Sequence, residues 1–245
     1  MMKTIKQLLM MCLIISTTPV SAMAISSLML VNADDKAGIL TLDNTDNITY
    51  FLKTSVSKVE IKNNQIIKTP YTRKNLDSWQ IATKPSKLVI EPNMVKDIQI
   101  ENICGDSCDR SLDQVFQIHI QPVSYTNEGE EQSKISMLFG FAPYYIIPAS
   151  ESHVDYQASY DGTNITAKNS GNTMLTLLID QCKDNQSAQQ EDGKKPALCT
   201  ATFTLLAGRT RVLHVPEELQ QENLDVILLN HDETFKQEVT LRQGQ

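Results

Sequence analysis

Short runs of alternating apolar and polar residues fill most of the chain, and helical periodicity is nearly absent. Alternation with a period of two is typical of half-buried β-strands, and Asn, Asp, Gly and Pro between the runs indicate turns. The one helical turn that the sequence predicts is "PEELQQENL", residues 216–224. Seven runs precede residue 148: "ISSLMLVN", "AGILTLDN", "ITYFLKTSVSKVEI", "KLVIEP", "KDIQIE", "DQVFQIHIQPVS" and "KISMLFGFAP". Seven follow it: "VDYQASYDG", "TNITAKNSG", "MLTLLIDQC", "ALCTATFTLLAG", "TRVLHVP", "LDVILLNHD" and "FKQEVTLR".

Two groups of seven strands predict an all-β fold of two tandem immunoglobulin-like sandwiches. One such sandwich takes roughly 100 residues, so a chain of 245 residues has room for two. Proline and small polar residues interrupt the pattern between Pro148 and Ser152. The expected domains are therefore residues 25–148 and residues 149–245.

Residues 1–24 have the features of a secretory signal peptide. Lys3 and Lys6 precede an apolar run, and Ala22, Met23 and Ala24 form an A-x-A cleavage pattern. Cleavage is expected after Ala24. No later segment approaches the roughly 20 apolar residues of a membrane-spanning helix, so no integral membrane segment is expected.

Four cysteines follow the signal peptide: Cys104, Cys108, Cys182 and Cys199. An even number of cysteines in an exported chain indicates disulfides. Pairing between neighbours, Cys104 with Cys108 and Cys182 with Cys199, is the simplest of the three connectivities. A zinc site is the alternative, but the spacing is not C-x2-C and the two pairs lie in different halves of the chain.

Features of an enzyme or a nucleic-acid-binding protein are missing from the sequence. It contains no GxSxG, HExxH, Walker or GxGxxG motif, and its four histidines are scattered. The net charge of −7 is spread along the chain, which argues against nucleic acid as a partner. We therefore expect no catalytic residues, no metal and no cofactor.

The segment "KISMLFGFAPYYIIP", residues 134–148, has an unusually bulky apolar face. Read by twos, Ser136, Leu138, Gly140 and Ala142 lie on the opposite face, which is mostly small, and the segment follows the polar loop "SYTNEGEEQS". The bulky face consists of Ile135, Met137, Phe139 and Phe141.

Several segments, taken in order, resemble periplasmic pilus-assembly chaperones of the chaperone/usher pathway. The similar segments in the first half are "LTLDNTDNITYFLKTSV", "WQIATKPSKLVIEPNMVKDIQI" and "LDQVFQIHIQPVS". Those in the second half are "ITAKNSGNTMLTLLIDQC" and "CTATFTLLAGRTRVLHVP". The resemblance covers nearly all of residues 25–240. The cysteine-containing second half looks most like the alternate branch, which serves colonisation-factor or common-pilus fimbriae.

The resemblance implies two sandwiches at an angle with a cleft between them, and a periplasmic location. It also implies that Ile135, Met137, Phe139 and Phe141 complete an unfinished fimbrial subunit by strand addition, before delivery to an outer-membrane usher. The alternative is that these four side chains face their own core. A subunit or adhesin of a surface fibre is the alternative function. An exposed donor strand would also allow self-association.

Better-known members of this family hold the subunit's terminal carboxylate with an arginine in the first strand and a lysine near the end of the donor strand. Here "ISSLMLVN" contains no basic residue, and Pro143, Tyr144 and Tyr145 stand at the end of the donor strand. The candidate cleft contacts are therefore Tyr144, Tyr145, Lys36 and Lys134.

Overall fold

The computed structural model describes residues 23–32, 37–105, 108–123, 140–182 and 198–244. In these ranges the chain is all-β, with two short 3-10 helices at Arg73–Ser78 and Glu217–Leu219. Within the same ranges, none of the helices has the length and apolar character needed to cross a membrane.

The described part of the first half of the chain forms two sheets. Its strands are β1 (Met23–Ile25), β2 (Met29–Val31), β3 (Gly38–Asn44), β4 (Tyr50–Lys62), β5 (Gln65–Pro70), β6 (Ile81–Lys84), β7 (Lys87–Ile90), β8 (Met94–Asn102), β9 (Gln114–Val123) and β10 (Tyr144–Ile147). One sheet has four strands in the order β1-β3-β8-β6, and the other has the order β2-β10-β9-β4-β5 with β7 also paired to β4.

The second half forms two further sheets. Its strands are β11 (Tyr156–Tyr160), β12 (Asn164–Asn169), β13 (Leu175–Asp180), β14 (Thr200–Leu205), β15 (Thr210–His214), β16 (Asn223–Leu229) and β17 (Lys236–Arg242). The sheet orders are β11-β12-β15 and β14-β13-β16-β17. Strand pairing does not cross between the halves within the described ranges, so each half is a sandwich of its own.

Three apolar clusters of described residues hold the two halves together. The first fills the first sandwich and includes Leu42, Phe116 and Tyr145, and the second fills the second sandwich. The third cluster lies where the two sandwiches meet. It contains Val59, Val115, Ile146 and Met174, with Met29, Val31, Tyr144 and Leu206 packed around them.

The two disulfides join neighbouring cysteines, as the simplest connectivity predicted. Cys104 is bonded to Cys108 after β8, and Cys182 is bonded to Cys199 across the ends of β13 and β14. All four sulfurs are therefore engaged, and the zinc alternative is excluded for this structure.

A buried asparagine ends the corresponding strand in each sandwich. Asn44, at the end of β3, donates its Nδ2–H to the carbonyls of Ile48 and Ile90 at 2.9 and 3.3 Å. Asn169, at the end of β12, donates to the carbonyls of Thr173 and Leu205 at 2.8 and 3.2 Å. Each asparagine therefore ties a turn to a neighbouring strand in the same way, which indicates a shared local design in the two halves.

We expect Asn169→Ala to lower the free energy of unfolding by about 1–3 kcal/mol, because two buried carbonyls lose their side-chain donor. Urea denaturation of the purified protein measures the change. Asn164→Ala is the matched control, since this asparagine begins the same strand and its side-chain bonds to Asp161 and His214 are exposed. An equal decrease in the free energy of unfolding in the two variants would contradict the role assigned to Asn169.

Candidate functional site

The last residues of the bulky alternating segment lie along the edge of β9. Phe141 and Ile120 exchange two backbone hydrogen bonds, of 2.8 and 3.0 Å, and the N–H of Ile118 donates to the carbonyl of Pro143 at 2.9 Å. The side chain of Phe141 is half-buried against the core cluster of the first sandwich. The other predicted donor residues, Ile135, Met137 and Phe139, lie outside the described residues.

Pro122 ends the row of backbone N–H donors that β9 directs towards this segment. The N–H groups of Ile118 and Ile120 point towards the segment, and Pro122 is the next residue of the same parity. Proline has no N–H, so β9 cannot donate a hydrogen bond from this position. The opposite edge of β9 remains paired there, because Pro122 lies across from Leu52 of β4. Beyond the pair of Ile120 and Phe141, β9 therefore has no N–H donor at its next position facing this edge.

Alternation through β10 separates the two tyrosines that were candidate cleft contacts. Tyr145 is 0% exposed in the core of the first sandwich, where its hydroxyl accepts a 2.7 Å hydrogen bond from Asn32. Burial raises the pKa of this hydroxyl. Tyr144 points the other way, to the cluster between the sandwiches. The structure thus places Tyr145 in the core rather than in the cleft, because successive strand residues face opposite sides.

A pocket of about 320 Å³ lies between the two sandwiches and is lined by Tyr144. Its apolar wall comes mainly from Met29, Ile66 and Leu206. Its cationic wall comes from the second sandwich, where Arg209 precedes β15 and Arg211 belongs to it. The pocket therefore combines two guanidinium groups, an apolar surface and a tyrosine.

The two arginines are held by backbone carbonyls and not by acidic side chains. Arg211 donates from Nη1 to the carbonyl of Thr204 at 3.1 Å, and Arg209 donates from Nη1 to the carbonyl of Asn64. Within the described ranges, no carboxylate oxygen lies within 4.0 Å of either side chain. Both guanidinium groups can therefore still form a charge-assisted pair with an anion that enters the pocket.

The tip of the β4–β5 hairpin positions Arg209 from the first sandwich. Asn63 and Asn64 adopt φ values of 51° and 62°, a conformation that suits a tight hairpin turn. Asn64 then accepts hydrogen bonds from Arg209 and from the N–H of Thr210, the latter through its side-chain oxygen at 2.8 Å. The hairpin thereby joins the first sandwich to the arginine-bearing turn of the second.

A buried carboxylate joins the sandwiches on another side of the junction. Asp113, 5% exposed, accepts hydrogen bonds from the N–H groups of Ala149 at 2.9 Å and Met174 at 2.6 Å. Its own N–H donates to the carbonyl of Asn172. Burial raises the pKa of Asp113, and these N–H donors, the Thr173 hydroxyl and His231 act in the opposite direction. Asp113 therefore fixes the connecting segment and the second sandwich to the start of β9.

The arginine pair is a feature that sequence reasoning missed. Arg209 and Arg211 stand two residues apart around the start of β15, so alternation places them on one side of the chain. That spacing is the available signal in the sequence, but the alternation of "TRVLHVP" by itself predicts only a strand. Lys36 and Lys134, the two cations that were proposed for the cleft, lie outside the described residues.

Comparison with known families identifies the first half of the chain. Residues 25–148 match the model of the CS5 fimbrial protein N-terminal domain. The chain belongs to this family. No curated protein sequence matches the chain.

Solved structures with the same fold include periplasmic and fimbrial chaperones. The periplasmic chaperone SfaE aligns with a TM-score of 0.54 at 8% identity, over 90% of this chain and 100% of that chain. A chain in the Salmonella enterica complex of the SafA pilin with the SafB chaperone gives 0.54 at 12% identity, over 91% and 98%. A chain in the CsuC–CsuE chaperone and tip-adhesion subunit complex from archaic chaperone-usher Csu pili of Acinetobacter baumannii gives 0.52 at 10% identity, over 90% and 98%. These similarities establish the two-sandwich fold.

Proposed function

We propose that this CS5-family protein is a non-enzymatic periplasmic chaperone that captures fimbrial subunits by strand addition and delivers them to an outer-membrane usher. In this proposal residues 1–24 contain the signal peptide, residues 25–148 form the capturing domain and residues 149–245 form the second domain. The observation that carries the proposal is the position of Phe141, the last residue of the bulky face. Phe141 pairs with Ile120 at the edge of β9, and Tyr144, three residues later, lines the pocket between the sandwiches.

The donor part of the proposal rests on the bulky alternating sequence pattern and on backbone hydrogen bonding, because side-chain parity alone places Phe141 on the core of its own sandwich. Phe141, Tyr145 and Ile147 share one parity and pack on the apolar core of the first sandwich. The same parity assigns Ile135, Met137 and Phe139 to the bulky face of the sequence pattern. Because Pro122 cannot donate a hydrogen bond, β9 offers one donor fewer along this edge in competition with the sheet of a subunit. An incomplete subunit would gain the missing strand and a row of side chains for its groove.

The anchoring part of the proposal assigns the subunit's terminal carboxylate to the pocket between the sandwiches. Arg209 and Arg211 would supply charge-assisted hydrogen bonds, and Tyr144 would supply a hydroxyl. Met29, Ile66 and Leu206 would contact the apolar part of the last subunit residue. In this arrangement the anchoring cations come from the second sandwich rather than from the first strand and the donor strand.

We expect Arg211→Glu to weaken subunit binding by about 10- to 150-fold, because a charge-assisted hydrogen bond of about 1.5–3 kcal/mol is replaced by repulsion of the carboxylate. Titration of a purified cognate subunit, kept soluble in mild denaturant and then diluted, measures the affinity. Arg242→Glu makes the same charge change on the exposed end of β17. Equal weakening by both variants would show that net charge, and not the pocket, controls binding.

Self-association through the donor segment is part of the same proposal. A free chaperone would carry an apolar strand with unpaired backbone groups, and a second copy can cover such an edge. We expect dilution to shift the protein towards monomer in analytical ultracentrifugation, and addition of a subunit to have the same effect. A monomer at every concentration would remove self-capping from the account.

A further inference from the structure

The first described residues, Met23–Ile25, already form a strand. In β1, Met23, Ala24 and Ile25 pair antiparallel with Asn44, Asp43 and Leu42 of β3. The side chains of Met23 and Ile25 are half-buried against the core of the first sandwich, and Ala24 points to solvent. The strand thus has the in–out alternation of a sheet edge that belongs to the folded domain.

Cleavage after Ala24, which the A-x-A pattern of residues 22–24 predicts, would remove two of the three residues of β1. The charged α-amino group would then stand on Ile25, directly opposite Leu42. The half-buried Met23 side chain would be lost, and the Asn44 end of β3 would become an uncovered sheet edge. The folded protein would therefore lack a contact that its own sequence supplies.

We propose that the signal peptide is removed by hydrolysis of the peptide bond between Ala22 and Met23, so that the mature protein begins at Met23. Val20, Ser21 and Ala22 form an A-x-A-like sequence with a small residue at the last position before the bond. Water adds across the bond and leaves a carboxylate on Ala22 and an α-amino group on Met23. This choice retains all three residue pairs of β1. The inference rests on the signal peptide and on β1, and it does not depend on the chaperone proposal.

Immediately after β1 the chain crosses from one sheet of the first sandwich to the other, and this crossing gives a structural reason to retain Met23 and Ala24. The N–H of Ser26 donates to the carbonyl of Thr41 at 2.9 Å, and the N–H of Tyr144 donates to the carbonyl of Leu28 at 2.9 Å. The chain therefore leaves one sheet at Ser26 and joins β10 in the other sheet two residues later. With β1 intact, this crossing is anchored on both sides. Without Met23 and Ala24, only one strand residue remains before it.

Mass spectrometry of the protein processed from its full-length precursor tests the proposal. The precursor is produced with its native signal peptide in a Gram-negative host, and the N-terminal peptide of the periplasmic protein is sequenced. We expect a mature protein that starts at Met23. A start at Ile25, or at any other residue, overturns the proposal.

Processing of an Ala24→Leu precursor distinguishes the two candidate cleavage sites without a measurement of the mature mass. If the bond after Ala24 were cut, leucine at the last position before it would block processing and the precursor would accumulate. Under our proposal Ala24 is the second residue of the mature protein and its side chain is exposed, so processing should proceed at the wild-type rate. Ala22→Leu is the positive control and should block processing. Accumulation of the Ala24→Leu precursor would overturn the proposal.

The value of β1 to the fold is measured with two purified proteins that begin at Met23 and at Ile25. We expect the shorter protein to melt about 2–4 °C lower, because an edge strand and a half-buried methionine are lost. Identical melting temperatures would contradict the structural reason given for cleavage at Ala22.

Discussion

A Phe139→Arg variant is expected to fold normally and to lose subunit capture, by at least about 100-fold in affinity. The reason is that strand addition would place every second side chain of the donor segment in an apolar groove. A guanidinium group in that groove loses its water and finds no acid to pair with, which costs several kcal/mol. Copurification with a cognate subunit and the melting temperature of the free protein are the two measurements.

The matched control for this variant is Ser136→Arg, which places the same charge in the same segment but on its opposite face. We expect Ser136→Arg to retain most of the binding. Retained capture by Phe139→Arg would reject the donor assignment. If Phe139→Arg instead lowered the melting temperature by several degrees, the side chain would belong to the domain's own core.

An Asp113→Ala variant is expected to show the largest loss of stability of the changes considered, roughly 2–6 kcal/mol. Two buried N–H groups, those of Ala149 and Met174, would each lose an acceptor, at about 1–3 kcal/mol each. These donors belong to the connecting segment and to the second sandwich, so the change should also loosen the junction. Urea denaturation measures the stability, and small-angle X-ray scattering measures the spread of domain orientations.

The stability contribution of Asp113 is also expected to depend on pH. Burial raises the pKa of this carboxyl in the folded protein above its unfolded value. A raised pKa means that the contribution is complete below the unfolded pKa of about 3.9 and is lost as the pH rises through the folded pKa. The difference in unfolding free energy between wild type and Asp113→Ala should therefore be larger at pH 4 than at pH 7. His231 acts against this shift, so its substitution by Gln should raise the pKa of Asp113 further.

Asp109→Ala is the control for both experiments. Asp109 lies four residues earlier, is exposed, and bonds only to Ser111 of its own turn among the described residues. We expect this variant to change the unfolding free energy by less than about 0.5 kcal/mol. A loss as large as that of Asp113→Ala, or an Asp113 contribution that grows from pH 4 to pH 7, would contradict the account of the junction.

Alternation in the sequence predicts strands that bury one face, and it does not predict strands with few or no buried residues. The seven runs predicted in the second half correspond to β11–β17. Buried residues stand at alternate positions in β12, β13 and β16, whereas β11, β14, β15 and β17 bury one residue each. Strand β5 was missed, because all six of its residues are exposed and it carries no apolar stripe. Strand β6 was not among the predicted runs either, since only Ile81 of its four residues is buried.

The end of the donor segment shows why part of the site could not be predicted. Strand β10 is buried on both faces, with Tyr145 and Ile147 in the core and Tyr144 and Ile146 at the junction. A strand buried on both sides has no polar alternation, so the sequence could not indicate which tyrosine reaches the cleft. The contribution of Arg209 and Arg211 depended on how two sandwiches meet, and that arrangement is not a property of any local pattern.

The same reasoning explains what the sequence predicted well. Pairing between neighbouring cysteines is the simplest of the three connectivities, and it is the pairing in the structure. The buried asparagines were expected only as turn residues, because their hydrogen bonds to strand carbonyls require a sheet that the sequence does not show. The fold class can therefore be predicted from periodicity, whereas the pocket and the junction depend on contacts that only the folded chain shows.

The most direct test of the chaperone proposal is the composition of the complex in cells. The mature protein, carrying a tag at its C-terminus, is purified from the periplasm of cells that are making their surface fibres, and copurifying proteins are quantified by mass spectrometry. We predict one small β-rich subunit in equal amount, which is lost in the Phe139→Arg variant and retained in Ser136→Arg. Elution of the protein alone, or as a polymer of itself, would contradict the proposal and would favour a structural subunit or adhesin.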